Sequence, residues 1–303
     1  MLLPRGGVAR HAGAMSDTQP ALRPLETPAP IGEPRADALR KLIAIVDRLR
    51  APDGCPWDRE QSLGSTAPHL VEEAHELLEA IEHGDDPHTV EEAGDLLMGI
   101  VLLARIAEQE GRFDLAKIGD AVCEKLVRRH PHVFGDVVAN SSAEALSNWE
   151  AIKRAERASK QEDTSALAGV PVALPALQRA QRMGSKAIHA GFRWSDVSGA
   201  LAKVREEVGE LSEEIEQAGL LEAREVKLDE AQRERLEHEL GDVLIASAFL
   251  GNYLGIDPER ATRSALRRFD SRFRAMEKHL GKPFGEFTLD QMMAAWRRAK
   301  GEG

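Results

Sequence analysis

Two pairs of segments carry carboxylates at helical spacing. HLVEEAHELLEA (69–80) supplies Glu72, Glu73 and Glu76, and VEEAGDLLMGIVLLARIA (90–107) adds Glu92 and Asp95. Further on, KVREEVGELSEE (203–214) supplies Glu206, Glu207 and Glu210, and EHELGDVLIASAFL (237–250) adds Glu239 and Asp242. At about 100° per residue, side chains three or four apart share one face of a helix. Glu72, Glu73, Glu76 and Glu79 fall on one side, roughly opposite Leu70, Ala74, Leu77, Leu78 and Ile81. Taken alone, that is an amphipathic helix with a solvated acidic face. The segment after Asp95 differs, because Leu96, Leu97, Met98, Ile100, Val101, Leu102 and Leu103 put apolar side chains all round; the segment after Asp242 does the same. Such helices are expected to be buried. Glu92, Asp95, Glu239 and Asp242 then stand at the rim of a core, where an unpaired carboxylate costs several kcal/mol or must protonate. They need cations. Basic groups within each motif are outnumbered by the acids, and carboxylates at i,i+3 on adjacent helices suit hard oxygen ligation of Mg²⁺. A divalent-metal site is the sharper reading, and a structural acidic cluster the alternative.

The same chemical order occurs twice. Trp57-Asp58 precedes the first acidic motif and Trp194-Ser195-Asp196 the second; each Glu-x-x-Asp follows, then a basic pair four apart (Lys125 with Arg129, Arg268 with Arg272), then Trp149 with Lys153 and Trp296 with Lys300. Five elements in one order indicate an internal duplication. The basic pairs project from one helical face and could hold an anion by charge-assisted hydrogen bonds, or serve as helix-end caps and ion pairs. Trp149 and Trp296 could stack on a planar base or pack in a core. No Walker loop or GxGxxG run occurs.

The elements that must position these groups are helical. From Arg35 to Arg157 the apolar periodicity is helical, broken at APDGCPWD, EHGDDPH and RRHPHVFGD, and it resumes near 176 after a Ser-, Gly- and Pro-containing stretch. Alternating β-branched runs are scarce, so the class is all-α. The expected organisation is an N-terminal tail over 1–34, with Met15 as an alternative start, a helical domain over 35–158, a linker over 159–175 and a second helical domain over 176–303. The net charge of −11 argues against a dedicated nucleic-acid binder, because a nucleic acid would meet a repulsive mean field unless basic residues were strongly clustered. No apolar run is long enough to cross a membrane. Cys55 and Cys123 show no metal or redox spacing and suit a reducing compartment, so a cytoplasmic location is expected.

EEAHE with EEAGD, EEVGE with HELGD, the GCPWDREQ opening and the RRHPHVF run together resemble the two-domain MazG nucleoside triphosphate pyrophosphohydrolases, over about residues 37–303. The resemblance implies two tandem all-α domains. It also implies hydrolysis of a nucleoside triphosphate to the monophosphate and pyrophosphate, with Mg²⁺ as the usual cofactor and Mn²⁺ as the alternative ion. It implies metal ligation by Glu207, Glu210, Glu239 and Asp242 in the second half, and by Glu73, Glu76, Glu92 and Asp95 in the first. Glu206, beside Glu207, would polarise the attacking water. Lys203, Arg235, Arg268, Arg272 and Lys300 resemble triphosphate contacts, with Trp296 near the base.

The two sites need not be equally competent: the first half has His69 where the second has Lys203, and Lys125 where the second has Arg268. The resemblance implies that activity resides chiefly in the C-terminal domain, with the first helping assembly, although the carboxylates of the first are intact. The second half also has 28 residues between Glu210 and Glu239 against 15 between Glu76 and Glu92, an insertion expected to be charged helix. Two other classes compete. A di-iron carboxylate protein wants two Glu-x-x-His motifs, and only Glu72 with His75 supplies one near these sites. A non-catalytic helical assembly module would not explain the repeated order of carboxylate, base and Trp. Helix pairs of this kind often complete their cores across a two-fold axis, so a homodimer is expected.

Overall fold

The computed structural model describes residues 33–159, 163, 165–223, 225–281 and 284–301. All regular structure among them is helical, with no strand. The chain divides into two compact units, Met1–Lys160 and Gln161–Gly303. The expected tail lies outside the described residues except at its end, where the first helix already begins at Glu33.

The first unit runs α1 (Glu33–Leu49), α2 (Pro56–Glu60), α3 (Leu63–His83), α4 (Asp86–Gln109), α5 (Leu115–Arg129), the single turn α6 (Pro131–Phe134) and α7 (Ser142–Ser159). Helices α3 and α4 pack along each other as a hairpin. Its sharp turn follows from two adjacent residues. Gly84, at φ 70°, ends α3 by donating its N–H to the carbonyls of Ala80 and Ile81, a left-handed cap that glycine adopts without a Cβ clash. Asp85 then starts α4 by accepting the N–H of His88, satisfying one of the orphan donors of the first turn. Gly99 permits the close approach of the pair, because a Cβ there would lie 2.8 Å from Leu70 Cδ2. Helix α1 lies on α4, and Val46, Val101, Leu102 and Ile106 form the buried core, flanked by Leu42, Ile43, Leu63, Met98 and Leu115.

The second unit runs α8 (Ala176–His189), α9 (Val197–Gln217), α10 (Glu230–Leu254), α11 (Pro258–Leu280), a 3₁₀ turn over Phe284–Glu286, and α12 (Leu289–Gly301). Here α9 and α10 form the matching pair, α8 packs on α10, and α12 packs on α11. Gly184 brings α8 against Phe249, whose Cδ1 lies 2.8 Å from where a Cβ would be.

Two expectations change. The insertion between the acidic motifs is not helical throughout: α9 ends before Gly219, at φ 68°, and no described residue from 218 to 229 is in a helix. Helix α10 starts only at Glu230, where Asp229 and Gln232 form a reciprocal capping box. A strong cap fixes the start of the helix more firmly than charge content does. The apolar helices are also not buried all round. Val101, Leu102, Ala104, Ile106 and Ala107 of α4 are buried, but Val90 is 73 %, Leu97 39 % and Ile100 37 % exposed. On α10, Ala246 and Ala248 are buried while Leu240, Leu244 and Ile245 are about half exposed. A single chain supplies packing partners for only one side of each helix.

Candidate active site

Sequence projection put Glu73 on the acidic, solvent-facing side of its helix. The structure turns it inward. On α3 the residues Thr66, Glu73 and Ala80, seven apart, run along the face packed on α4; Thr66 and Ala80 are buried and Glu73 is half-buried. On α9 the corresponding positions are Ala200, Glu207 and Glu214, with Ala200 and Glu207 buried. A seven-residue spacing keeps side chains in the seam between paired helices, so each hairpin carries a carboxylate there. The facing helix supplies two more. Glu73, Glu92 and Asp95 bring ligand oxygens within 4.8 Å of one another, and Glu207, Glu239 and Asp242 do the same. Glu76 and Glu210 stand outside these triplets and are exposed. Glu210 still hydrogen-bonds Glu207, and the charge on Glu76 bears on Glu73.

The two triplets are held differently. In the first, His88 Nε2 lies 2.8 Å from Glu92 Oε1. Glu92 is 7 % exposed, and its Oε2 is buried with no hydrogen-bond partner. An orphaned carboxylate oxygen beside two other carboxylates has the chemistry of a cation ligand, since nothing else offsets its desolvation. Burial, then the charges of Asp95, Glu76, Glu92 and Glu72, push the Glu73 carboxyl above the usual glutamate range. In the second triplet a lysine supplies the counter-charge: Lys203 Nζ lies 2.6 Å from Glu207 Oε1 and 2.8 Å from Glu206 Oε1. The hydrogen bonds that Lys203 donates to Glu206 and Glu207 keep its ammonium protonated well above its ordinary range. Burial and the Glu207 hydrogen bond raise the Glu210 carboxyl. His238 Nε2 reaches within 3.5 Å of Asp242.

The remaining sequence candidates lie further out. Arg235 Nε donates to Glu214 Oε2 at 2.8 Å, tying α10 to α9. Arg268 Nη1 donates to Ser264 Oγ at 2.7 Å. The Trp296 ring is tilted against Phe269, with centroids 5.4 Å apart, in an aromatic row that continues through Phe273 to Phe284. Lys300 is exposed. Among the described residues, no hydrogen bond or ion pair links Arg268, Arg272, Trp296 or Lys300 to the triplet. In the first unit the counterpart of Arg272 is Arg129, whose Nη2 donates to Glu156 Oε2 at 2.6 Å while its guanidinium lies over Trp149, 5.6 Å from the ring centroid. Arg128 and Lys153 complete that cluster, at 2.5 Å from Glu156 Oε1 and 4.5 Å from the Trp149 centroid.

Sequence reasoning missed His88, Glu214 and Glu156. The signal for His88 was its i,i+4 spacing to Glu92. The signal for Glu214 was its seven-residue spacing from Glu207. Nothing local marked Glu156, whose partners lie 27 and 28 residues away.

Paired helices that converge three carboxylates on one point, repeated in two units, define a class of all-α proteins whose acidic seams could hold a metal ion. The MazG nucleotide pyrophosphohydrolase domain matches residues 61–134 and 197–276, the segments that contain the two triplets. The nucleoside triphosphate pyrophosphohydrolase of Escherichia coli K12 is 40 % identical over 264 residues, covering 86 % of this chain and 96 % of that protein. The nucleoside triphosphate pyrophosphohydrolase/pyrophosphatase MazG of Thermotoga maritima is 37 % identical over 264 residues, covering 86 % and 95 %. A solved mazG-related protein from Thermotoga maritima is 30 % identical, spans 38 % of this chain and 98 % of its own, and superposes with a TM-score of 0.34. The chain belongs to the MazG family.

Proposed function

We propose that this protein hydrolyses nucleoside triphosphates to nucleoside monophosphates and pyrophosphate, chiefly in its second domain, at a site that uses Mg²⁺, with Mn²⁺ as the alternative ion. The observation that carries the proposal is the convergence of Glu207, Glu239 and Asp242 within a family-matched segment. The donor set is all carboxylate oxygen, which suits a hard divalent ion. Glu207, Glu239 and Asp242 would hold it, with Glu210 completing the set through its bond to Glu207; Glu73, Glu92, Asp95 and Glu76 have the same parts in the first domain. A divalent cation bound there neutralises phosphate charge and polarises water.

The chain's own residues do the rest. Glu206 accepts a proton from the water that attacks the α-phosphorus, and pyrophosphate leaves as the α–β anhydride bond breaks. Lys203 pairs with Glu206 and Glu207 before substrate arrives. A triphosphate draws that ammonium onto its oxygens, which frees both carboxylates at the moment they are needed. Arg235, Arg268, Arg272 and Lys300 hold the pyrophosphate half by charge-assisted hydrogen bonds, and Trp296 flanks the base. Helices α9 and α10 keep the seam partly dry, which strengthens each contact.

The half-exposed stripe Leu240, Leu244 and Ile245 and, in the first domain, the exposed Val90, Leu97 and Ile100 support a homodimer, since covering the exposed half of such a side chain contributes about 1 kcal/mol. No described helix is long and apolar enough to cross a membrane. Together with the two unpaired cysteines, this favours the cytoplasm.

The test is product analysis with each nucleoside triphosphate and Mg²⁺, run beside Glu239→Ala and Glu92→Ala. Monophosphate and pyrophosphate, lost with Glu239→Ala and kept with Glu92→Ala, are expected. Diphosphate and phosphate, or no turnover of any nucleotide, would overturn the assignment.

A further inference from the structure

We propose that His88 is a positioning residue that gives the first domain a metal site of its own, one that fills without nucleotide, whereas the second domain's site fills together with its triphosphate. The inference rests on the metal-binding reading above and goes beyond it in assigning His88 and an order of binding.

His88 is fixed before it touches any carboxylate. It occupies the first turn of α4, beside the Asp85 cap that accepts its N–H at 3.1 Å. One helical turn on, its Nε2 meets Glu92 Oε1 at 2.8 Å. Glu92 has two oxygens. With Oε1 taken by the imidazole, the torsion that would let the carboxylate swing is locked; Oε2 stays buried without a hydrogen-bond partner, on a carboxylate that lies within 4.8 Å of those of Glu73 and Asp95. Carboxylates that ligate metals are oriented by hydrogen bonds of this kind from outside the ligand set. An imidazole donates one N–H without bringing a fixed positive charge. The three carboxylate charges of the first triplet therefore remain available to a cation.

In the second domain the position equivalent to His88 is Arg235, which turns away to Glu214. The anchoring is done instead by Lys203, on the opposite helix of the pair, at 2.6 Å from Glu207. An ammonium cancels one carboxylate charge and repels an incoming cation. The obstacle disappears once phosphate oxygens draw the lysine off, so metal and nucleotide bind there cooperatively. His238, 72 % exposed and 3.5 Å from Asp242, is too distant and too solvated to substitute for His88.

The experiment is a Mn²⁺ titration of the full chain, with free Mn²⁺ read by electron paramagnetic resonance, with and without a non-hydrolysable α,β-methylene triphosphate. Three backgrounds are compared, Asp242→Ala, Asp242→Ala with His88→Ala, and Asp242→Ala with His88→Gln, and Asp95→Ala alone is run beside them. Asp242→Ala is expected to keep a nucleotide-independent Mn²⁺ site, weakened about 10- to 100-fold by His88→Ala and largely restored by His88→Gln, whose amide can reach Glu92. Circular dichroism identifies a variant that fails to fold, and the Gln variant then decides. Equal affinity in all three overturns the role of His88. Nucleotide-independent binding that vanishes in Asp242→Ala but survives in Asp95→Ala reverses the order and overturns the proposal. No Mn²⁺ bound by the parent protein under either condition overturns the metal reading itself, a result distinguishable from the other two.

Discussion

The two domains place the same carboxylates at the same seam and surround them with different counter-charges. In the first, the acids are left facing one another: Glu92 has an orphaned buried oxygen, and burial with four neighbouring acids pushes the Glu73 carboxyl upward. Its cations are engaged elsewhere, since Arg128 and Arg129 close on Glu156 of α7. In the second, Lys203 sits inside the acidic group, while the counterpart of Arg129, Arg272, has no Glu156 to meet, because position 303, which aligns with Glu156, is a glycine and carries no carboxylate. Duplication copied the carboxylates, and divergence acted on what neutralises them. A site whose cations are already committed to structural ion pairs is poorly placed to hold a triphosphate. One whose lysine bridges two carboxylates would have to release them to bind phosphate.

The sharpest way to break this comparison is to remove one ligand from each triplet. Asp242→Ala should lower triphosphate hydrolysis by about 10²-fold or more, the scale of losing a group that stabilises developing charge. Asp95→Ala should leave turnover within a few-fold of the parent. Equal losses measured in steady-state kinetics would mean that both domains turn over. A second variant sharpens the point. Lys203→Met should cost about 10- to 100-fold in kcat/KM, while the matching His69→Met changes little, because His69 stands 3.8 Å from Glu72 and beside Trp57. If Lys203→Met left kcat/KM intact, the ammonium would be a structural counter-ion only.

A smaller effect tests the structural half of the contrast. Glu156 and Arg129 are each 18 % exposed at the side chain, so Glu156→Gln strands a partly buried guanidinium against Trp149. The expected loss is about 1–3 kcal/mol, read as a lower denaturation midpoint with hydrolysis unchanged. A neutral outcome would show that Trp149 and Lys153 hold α7 to α5 without the ion pair.

How much of this was legible in the chain depends on where the information lies. The all-α class, the duplication and the acidic motifs follow from periodicity and spacing, which are local; the grouping of Glu73 and Glu76 with Glu92 and Asp95 came with the family resemblance, and the fold brings three of the four together and leaves Glu76 outside. The inward turn of Glu73 was not legible, because a helical wheel assigns the packed face to the apolar residues. On α3 the packed face contains Thr66 and Ala80, and Ile81 points to solvent with 56 % exposure. The choice of face was made by α4. Trp296 was ambiguous for the same reason, until Phe269 took one side of its ring. The ion pairs of Glu156 and Glu214 join helices, and no spacing within one helix announces them.

The smallest expected effect concerns pH, and its two halves run in opposite directions. Glu73 binds its proton more tightly in the folded chain than in the unfolded one. Its contribution to stability is therefore present below the ordinary glutamate pKa and is lost as pH rises through the raised value. Glu156 is lowered by its hydrogen bonds with Arg129 and Arg128; its contribution is present above the ordinary value and is lost as pH falls through the depressed one. In the presence of a chelator, thermal melts should show Glu73→Gln flattening the decline in Tm from mildly acidic to neutral pH. Glu156→Gln should instead flatten the decline on the acid side. Saturating Mg²⁺ should abolish the first effect, since a cation at the triplet favours the ionised Glu73, and leave the second untouched. Identical profiles for parent and Glu73→Gln, with and without Mg²⁺, would mean that solvent already screens the crowding in the first triplet, and that its orphaned carboxylate needs no ion.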